Sequence, residues 1–133
     1  MRAFLFILCS LSALNLVAQD TYTLLIDDDN VIISYQVLEV KKKGALLPEV
    51  RLSIENKSES YLSVSFELLF NYDMEFAEGT KVEDICIAPG KVKKGKIKGL
   101  FYNPEGLTYP QLISDDIEIL VEEKVIKQQT NCK

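Results

Sequence analysis

Two short acidic runs contain the side chains best suited to bind a cation. Asp27 to Asn30 reads Asp-Asp-Asp-Asn, and Asp115 and Asp116 form a second pair. An EF-hand calcium loop needs an oxygen ligand at its fifth position and a glutamate at its twelfth. Counted from Asp27, those positions hold Val31 and Leu38, so that motif fails. Two interpretations remain, a looser calcium site shared by both runs or a solvated acidic turn, and we assign no metal ligand and no cofactor.

The absence of histidine excludes the nucleophilic sites that depend on an imidazole. Ser-His-Asp and Cys-His arrangements need an imidazole, and the chain has none. Asp115 and Asp116 would point to opposite faces of a strand, whereas retaining glycosidases need carboxyl groups about 5 Å apart in a cleft. We therefore predict a protein that is not an enzyme. The alternative is a small carboxylate-based hydrolase or carbohydrate-binding accessory protein, recognisable by a concave pocket with two convergent acids of perturbed pKa.

A dense lysine run stands out in a chain of net charge −5. Its members are the candidate partner contacts Lys91, Lys93, Lys94, Lys96 and Lys98, and residues 41–43 add three more lysines. The run would dock an anionic glycan, a lipid head group or an acidic partner, or it would protect an exposed strand edge from pairing. No aromatic residue interrupts it before Phe101, and the chain is acidic, so we expect no nucleic-acid partner.

The longest predicted loop, Asn103 to Asp115, is a second candidate contact surface. Loops of this length are often functional. Tyr109 with Leu107 and Leu112 would form a contact patch, or the two leucines would cap one end of the core. We take Tyr109 as the partner contact of this loop.

Residues 1–18 have the features of a secretory signal peptide. Arg2 supplies the positive start, an apolar stretch follows, and Ala18 ends it as a small residue at the cleavage point. As a helix, Ala3 to Ala18 would extend about 24 Å, short of the about 30 Å of a bilayer core. We expect cleavage before Gln19, no transmembrane span in the mature chain, and export to the periplasm or the outside. Cleavage removes one arginine and no acid, which changes the net charge from −5 to −6.

Two of the three cysteines, Cys86 and Cys132, remain after cleavage. An even number in an exported chain predicts one disulfide, and the alternatives are two unpaired thiols or pairing to another molecule. A third motif, Asn56-Lys57-Ser58, fits the N-glycosylation pattern, which we interpret as a turn.

Alternating apolar residues predict strands throughout residues 19–133, which we take as one domain. Val50 to Glu55 and Leu62 to Phe70 both alternate with period two and flank a polar turn, which predicts a hairpin. We expect the apolar residues of both runs to share one buried face. Further predicted strands are Thr21 to Ile26, Val31 to Val40 with a bulge or change of sheet near Leu38, Val82 to Ile87, Lys96 to Tyr102 with Ile97 and Phe101 inward, and Ile117 to Val125.

Six or seven strands at this spacing favour an all-β antiparallel sandwich. The order Val50 to Ser58, Leu62 to Leu68, Ala88-Pro89-Gly90 and a strand near Lys96 resembles small exported immunoglobulin-like domains of bacteria, including uncharacterised flavobacterial secreted proteins. The resemblance covers most of the mature chain and implies a fold and an exported location, but no activity. We therefore predict an exported binding or structural module for a protein or an envelope surface polymer. A third possibility is a periplasmic chaperone-like or envelope structural protein that works by β-strand addition, which one long unpaired edge strand would favour.

Overall fold

The structure is a computed structural model that describes residues 21–133, so the predicted signal peptide lies outside the described residues. Eight strands and one short helix follow one another within these residues. Their bounds are β1 Thr23–Asp27, β2 Val31–Lys42, β3 Ala45–Asn56, β4 Tyr61–Tyr72, β5 Glu75–Ile87, β6 Val92–Lys94, β7 Phe101–Tyr102, α1 Tyr109–Leu112 and β8 Ile117–Gln129.

The strands form two antiparallel sheets, which confirms the predicted all-β sandwich. One sheet has the order β1-β2-β3-β6, and β7 also pairs with β3. The other has the order β5-β4-β8. Their apolar faces enclose one core, in which Ile33, Ile54, Val64 and Phe70 are wholly buried.

The predicted hairpin between β3 and β4 is wrong. β3 pairs with β2, whereas β4 pairs with β5 and β8, so the two strands belong to different sheets. Their apolar residues are buried as predicted but line facing sheets, because period two defines which face is buried and not which strand lies alongside. The crossover is held by buried Asn56, whose amide donates to the carbonyls of Ser60 (2.7 Å) and Ile87 (2.9 Å).

The two tight hairpins lie elsewhere and use two-residue turns. Lys43 and Gly44 join β2 to β3 with φ of 49° and 80°, and Asp73 and Met74 join β4 to β5 with φ of 51° and 67°. Two successive positive φ values match the twist of the flanking strands. The β2–β3 register runs without interruption from Val31↔Asn56 to Lys42↔Ala45, so the bulge expected near Leu38 does not occur.

The segment predicted as one strand from Lys96 to Tyr102 is mostly turn. Gly95 and Gly99 adopt φ of 83° and 88° and break it. Leu100 is buried, while Ile97 and Phe101, predicted to face inward, are 44% and 37% exposed. A glycine permits a positive φ, and such a turn reverses which side chains point inward. A prediction based on period-two alternation alone assumes no such reversal, so it assigned Ile97 and Phe101 to the wrong side.

Both edges of the smaller sheet carry bulges at the same level of β4. In the pairing of β4 with β5, the register shifts between Val64 and Phe66. In the pairing of β4 with β8, the register shifts between Ser65 and Glu67. Asp84 and Glu123 lie in these irregular segments with φ of 52° and 50°. A bulge twists an edge and ends regular pairing.

Candidate functional site

One end of the sandwich gathers both hairpin turns and the segment 103–116, and we call it the hairpin end. The side-chain amide of Asn103 donates to the Pro48 carbonyl of the β2–β3 hairpin at 3.1 Å. The backbone N–H of Gly106 donates to the carboxylate of Glu78 on β5 at 2.9 Å, and the backbone N–H of Asp73 donates to the Asp116 carbonyl at 3.1 Å. Segment 103–116 therefore connects the two hairpins.

Burial and hydrogen bonding fix this connecting segment on the core. Leu107 and Leu112 are 4% and 1% exposed, so they cap the core rather than form a contact patch. The short helix α1 begins with a capping box, in which Thr108 and Gln111 each bond the other's backbone N–H. Tyr109 follows the cap and remains half-buried. The position of its ring is thus set by a well-anchored loop.

Glu78 on β5 bonds the connecting segment to the smaller sheet. Its carboxylate accepts a hydrogen bond from the Tyr102 hydroxyl in addition to the one from Gly106. The Tyr102 ring stacks on Phe70, with ring centroids 5.9 Å apart. Burial and the Glu78 carboxylate raise the pKa of the Tyr102 phenol still further above neutral pH.

An apolar groove of 590 Å³ opens between the β2–β3 hairpin and this loop. Leu46 and Leu47 line one side, with exposures of 63% and 37%, and Tyr109 and Pro110 line the other. On the adjacent hairpin, Met74 is 99% exposed and Phe76 is 66% exposed. Among residues 21–133, Met74, Phe76 and Leu46 are the three most exposed large apolar side chains, and all three lie at the hairpin end.

A second groove, the basic groove, lies on the solvent face of the larger sheet. It is lined by Val40, Lys41, Lys42, Glu49, Arg51, Lys96 and Phe101. Glu49 forms its floor, 3% exposed, and accepts from Arg51 Nε at 2.6 Å while Lys42 Nζ lies 3.4 Å away. Burial alone would raise the pKa of Glu49, but Arg51 and Lys42 outweigh it, so its pKa is lowered and the carboxylate stays ionised.

The structure separates the candidate contact residues predicted from the sequence. Lys96 lines the basic groove and Tyr109 lines the apolar groove. Lys93 and Lys94 lie on β6, which pairs only with β3 and forms a sheet edge, an arrangement typical of edge protection. Lys91 and Lys98 flank that edge and are exposed.

Sequence reasoning did not select Glu49, Arg51 and Phe101 as site residues. The alternation Val50, Leu52 and Ile54 already placed Glu49 and Arg51 on the outer face, so a signal for the charge pair was present. Nothing in the sequence indicated that Phe101 would face outward, because its orientation depends on the turns at Gly95 and Gly99.

The acidic turn after β1 is engaged in ion pairs. Asp27 pairs with Lys57 at 2.8 Å, and Asp28 pairs with Lys124 and accepts from the backbone of Asn30 and Val31. Burial would by itself raise the pKa of Asp28, but Lys124 and the two backbone N–H groups lower it to about 2. Among residues 21–133 no group of three or more Asp, Glu, Cys or His side chains is placed to hold a metal ion.

The two acidic runs therefore do not form the shared calcium site considered above. Asp115 and Asp116 line a different groove, beside Asp73 and Met74 at the hairpin end. The turn that contains Asp28 is bonded through Lys57 to the crossover after Asn56, at the opposite end of the sheets.

The predicted disulfide between Cys86 and Cys132 is confirmed, with Cα atoms 5.6 Å apart. The glycosylation motif is unusable in the folded chain, because Asn56 is wholly buried and its amide nitrogen is bonded twice. In the described part of the chain no helix is long and apolar enough to span a bilayer.

Comparison with protein-family models, with curated proteins and with solved structures gave no match to this chain. The resemblance to bacterial immunoglobulin-like domains thus stays a prediction drawn from the sequence.

Proposed function

We propose that the protein is an exported, non-enzymatic binding module that holds a partner protein through its hairpin end. The observation that carries this proposal is the concentration of exposed apolar side chains there. Leu46 lines the apolar groove opposite Tyr109, and Met74 and Phe76 are exposed on the adjacent β4–β5 hairpin. Exposed apolar groups collected at one place mark contact surfaces, and aromatic and methionine side chains are enriched at interface cores.

The opposite end of the sandwich supports the choice of surface. It carries the acidic turn after β1 and the polar crossover between β3 and β4, where Asp27, Asp29, Lys57 and Glu59 are exposed. Such a surface is well solvated and gains little from contact, because surface ion pairs contribute about 0–1 kcal/mol. The contrast between the two ends therefore favours the hairpin end as the contact surface.

The anchoring of segment 103–116 on the core also supports a binding role. Leu107, Leu112 and the Glu78 bonds hold Tyr109 in place before any partner arrives. A preorganised surface loses less conformational entropy on association, which leaves more of the contact energy for affinity.

The disulfide supports the exported location, because disulfides persist in oxidising compartments. The pKa values of two carboxyl groups favour a binding module over the hydrolase alternative. Asp28 and Glu49 have lowered pKa values because each faces a cation, and a carboxyl that acts as general acid needs a raised value.

Affinity capture with matched leucine variants tests the proposal. The tagged full chain, produced in its source organism, is used to capture partners from the envelope fraction. Leu46→Ser and Phe76→Ser should lose a stoichiometric partner that the wild type retains. Leu24→Ser is the control, since Leu24 is 58% exposed but lies on β1, away from the hairpin end.

Retention of that partner by all variants would overturn the assignment of the hairpin end. Absence of any stoichiometric partner from the wild-type capture would overturn the binding module itself.

A further inference from the structure

We infer that the basic groove on the outer face of the larger sheet binds an acidic polysaccharide. This site is distinct from the hairpin-end surface proposed above and faces the other side of the β2–β3 hairpin. Lys42, Arg51 and Lys96 supply three positive charges around a single acid, Glu49. Lys41 also borders the groove, but its side chain alternates to the opposite face of β2. The whole chain is acidic, with 20 acidic and 15 basic side chains, so this concentration of positive charge is local.

The floor of the groove holds two of these cations in fixed positions. Glu49 is bound by Arg51 and faces Lys42, and Lys42 also donates to the Asn103 side chain at 2.9 Å. Because Glu49 is 3% exposed, it is shielded from an incoming anion. Glu49 thus orients the side chains of Arg51 and Lys42 without presenting a negative surface to the ligand.

The remaining lysine is available to a ligand. Lys96 is exposed and has no acidic partner among the described residues. It can therefore bind an anionic group without first breaking an ion pair. The groove has a net charge of two positive units once Glu49 is set against one cation.

The aromatic ring of Phe101 favours a ligand that has an apolar face. Phe101 is 37% exposed, and Lys42 Nζ lies 5.2 Å from the centroid of its ring. A small inorganic ion gains nothing from an apolar ring, whereas a sugar ring offers an apolar C–H face to pack on it. Uronic acid units also carry one carboxylate each at regular intervals, which suits cations placed along a groove.

A membrane surface and an acidic peptide fit less well. A bilayer is flat and meets projecting side chains, while Arg51 and Glu49 lie within a concave site of 310 Å³. An acidic peptide matches the charge, but its side chains present no ring for Phe101. The observations therefore favour the polysaccharide, and the other two ligands become arms of the test.

Calorimetric titration of the purified mature chain tests the inference with polygalacturonate as the probe. Neutral dextran, polyglutamate and anionic phospholipid vesicles are the comparison ligands. The wild type should bind polygalacturonate more tightly than all three. The Lys96→Gln variant and the Phe101→Ala variant should each bind it roughly tenfold more weakly, about 1.4 kcal/mol each.

The control variant is Lys98→Gln, which removes the same charge two residues away at an exposed lysine that does not line the groove. It should keep wild-type affinity. An equal loss in both lysine variants would overturn the site and leave only general charge attraction. Equal or tighter binding of polyglutamate or vesicles would overturn the ligand class. None of these outcomes depends on the partner captured at the hairpin end.

Discussion

Cys86 and Cys132 are joined across the outer face of β4, although their segments lie on opposite sides of that strand. β5, with Cys86, and β8, which leads to Cys132, each pair with β4. Strands on either side of a third are roughly 10 Å apart. Cα atoms 5.6 Å apart therefore require the tail after Gln129 to cross over β4. Ser63, the register partner of Cys86, is 4% exposed beneath this crossing.

Loss of the disulfide should destabilise the chain substantially. In the chain-entropy model a closed loop with a sequence separation of 46 contributes roughly 4 kcal/mol. The Cys86→Ser/Cys132→Ser variant should lose up to that amount in urea unfolding, and reductant should affect the wild type alone. Separate Cys86 and Cys132 peptides in a non-reducing map, both reactive toward a thiol label, would contradict the bridge.

Burial predicts very different costs for two phenylalanine truncations. Phe66 is 3% exposed between the sheets, and its replacement by alanine should cost about 3–5 kcal/mol of unfolding free energy. Phe76→Ala is the matched control, because Phe76 is 66% exposed and its loss should change stability by about 0.5 kcal/mol or less. Denaturant unfolding measures both, and similar costs would mean that the core assignment is wrong.

Asp28 should make stability depend on pH in the acid range. Its pKa is about 2 in the folded chain against an ordinary 3.8, so the folded state binds the proton less tightly. Its contribution is complete above pH 3.8 and is lost as the pH falls through about 2. Asp28→Asn should flatten the fall in unfolding free energy across this window. Asp29→Asn is the neighbouring control, and an identical pH profile for all three proteins would refute the role of Asp28.

The bond between Tyr102 and Glu78 should stabilise the hairpin end. Tyr102→Phe keeps the ring against Phe70 and removes only the hydroxyl, so it should cost about 1.5–3 kcal/mol, the range for bonds to charged groups. Hydrogen exchange at Gly106 should accelerate, because Glu78 loses one of its two anchors. Unchanged exchange at that amide would show that the loop is held without Tyr102.

The mature chain should begin at Gln19. Arg2, the apolar stretch and Ala18 are the basis of this prediction. Intact-mass measurement of protein recovered outside the cytoplasm gives the answer directly. A mass that includes residues 1–18 would exclude cleavage.

The local alternation of apolar residues predicted which segments form strands, but it did not predict which strands pair. The inward positions of Leu52, Ile54, Val64 and Phe66 followed from alternation, because each strand buries one face. Which strands lie side by side depended on turn geometry at Lys43-Gly44 and Asp73-Met74, where lysine, aspartate and methionine adopt positive φ. Only one of these four residues is a glycine, so the turns carried a weak sequence signal.

The candidate site was predictable in part. Lys96 and Tyr109 were selected from charge density and loop length, and both line grooves. The assembly of Glu49, Arg51 and Phe101 with Lys96 depends on β7 pairing with β3 after an irregular segment. Such long-range register has no local signature in a single sequence.

The bulges on β5 and β8, at one level of β4, limit how copies of this protein can meet at high concentration. An incoming strand could form an uninterrupted ladder only over short stretches before the register shifts, Ile117 to Glu122 or Val125 to Gln129 on β8 and at most Glu78 to Val82 on β5. Fibril growth needs straight edges that repeat from copy to copy. Acidic side chains at Asp84 and Glu123 stand at both interruptions, so polymerisation through this sheet is opposed by shape and by charge together.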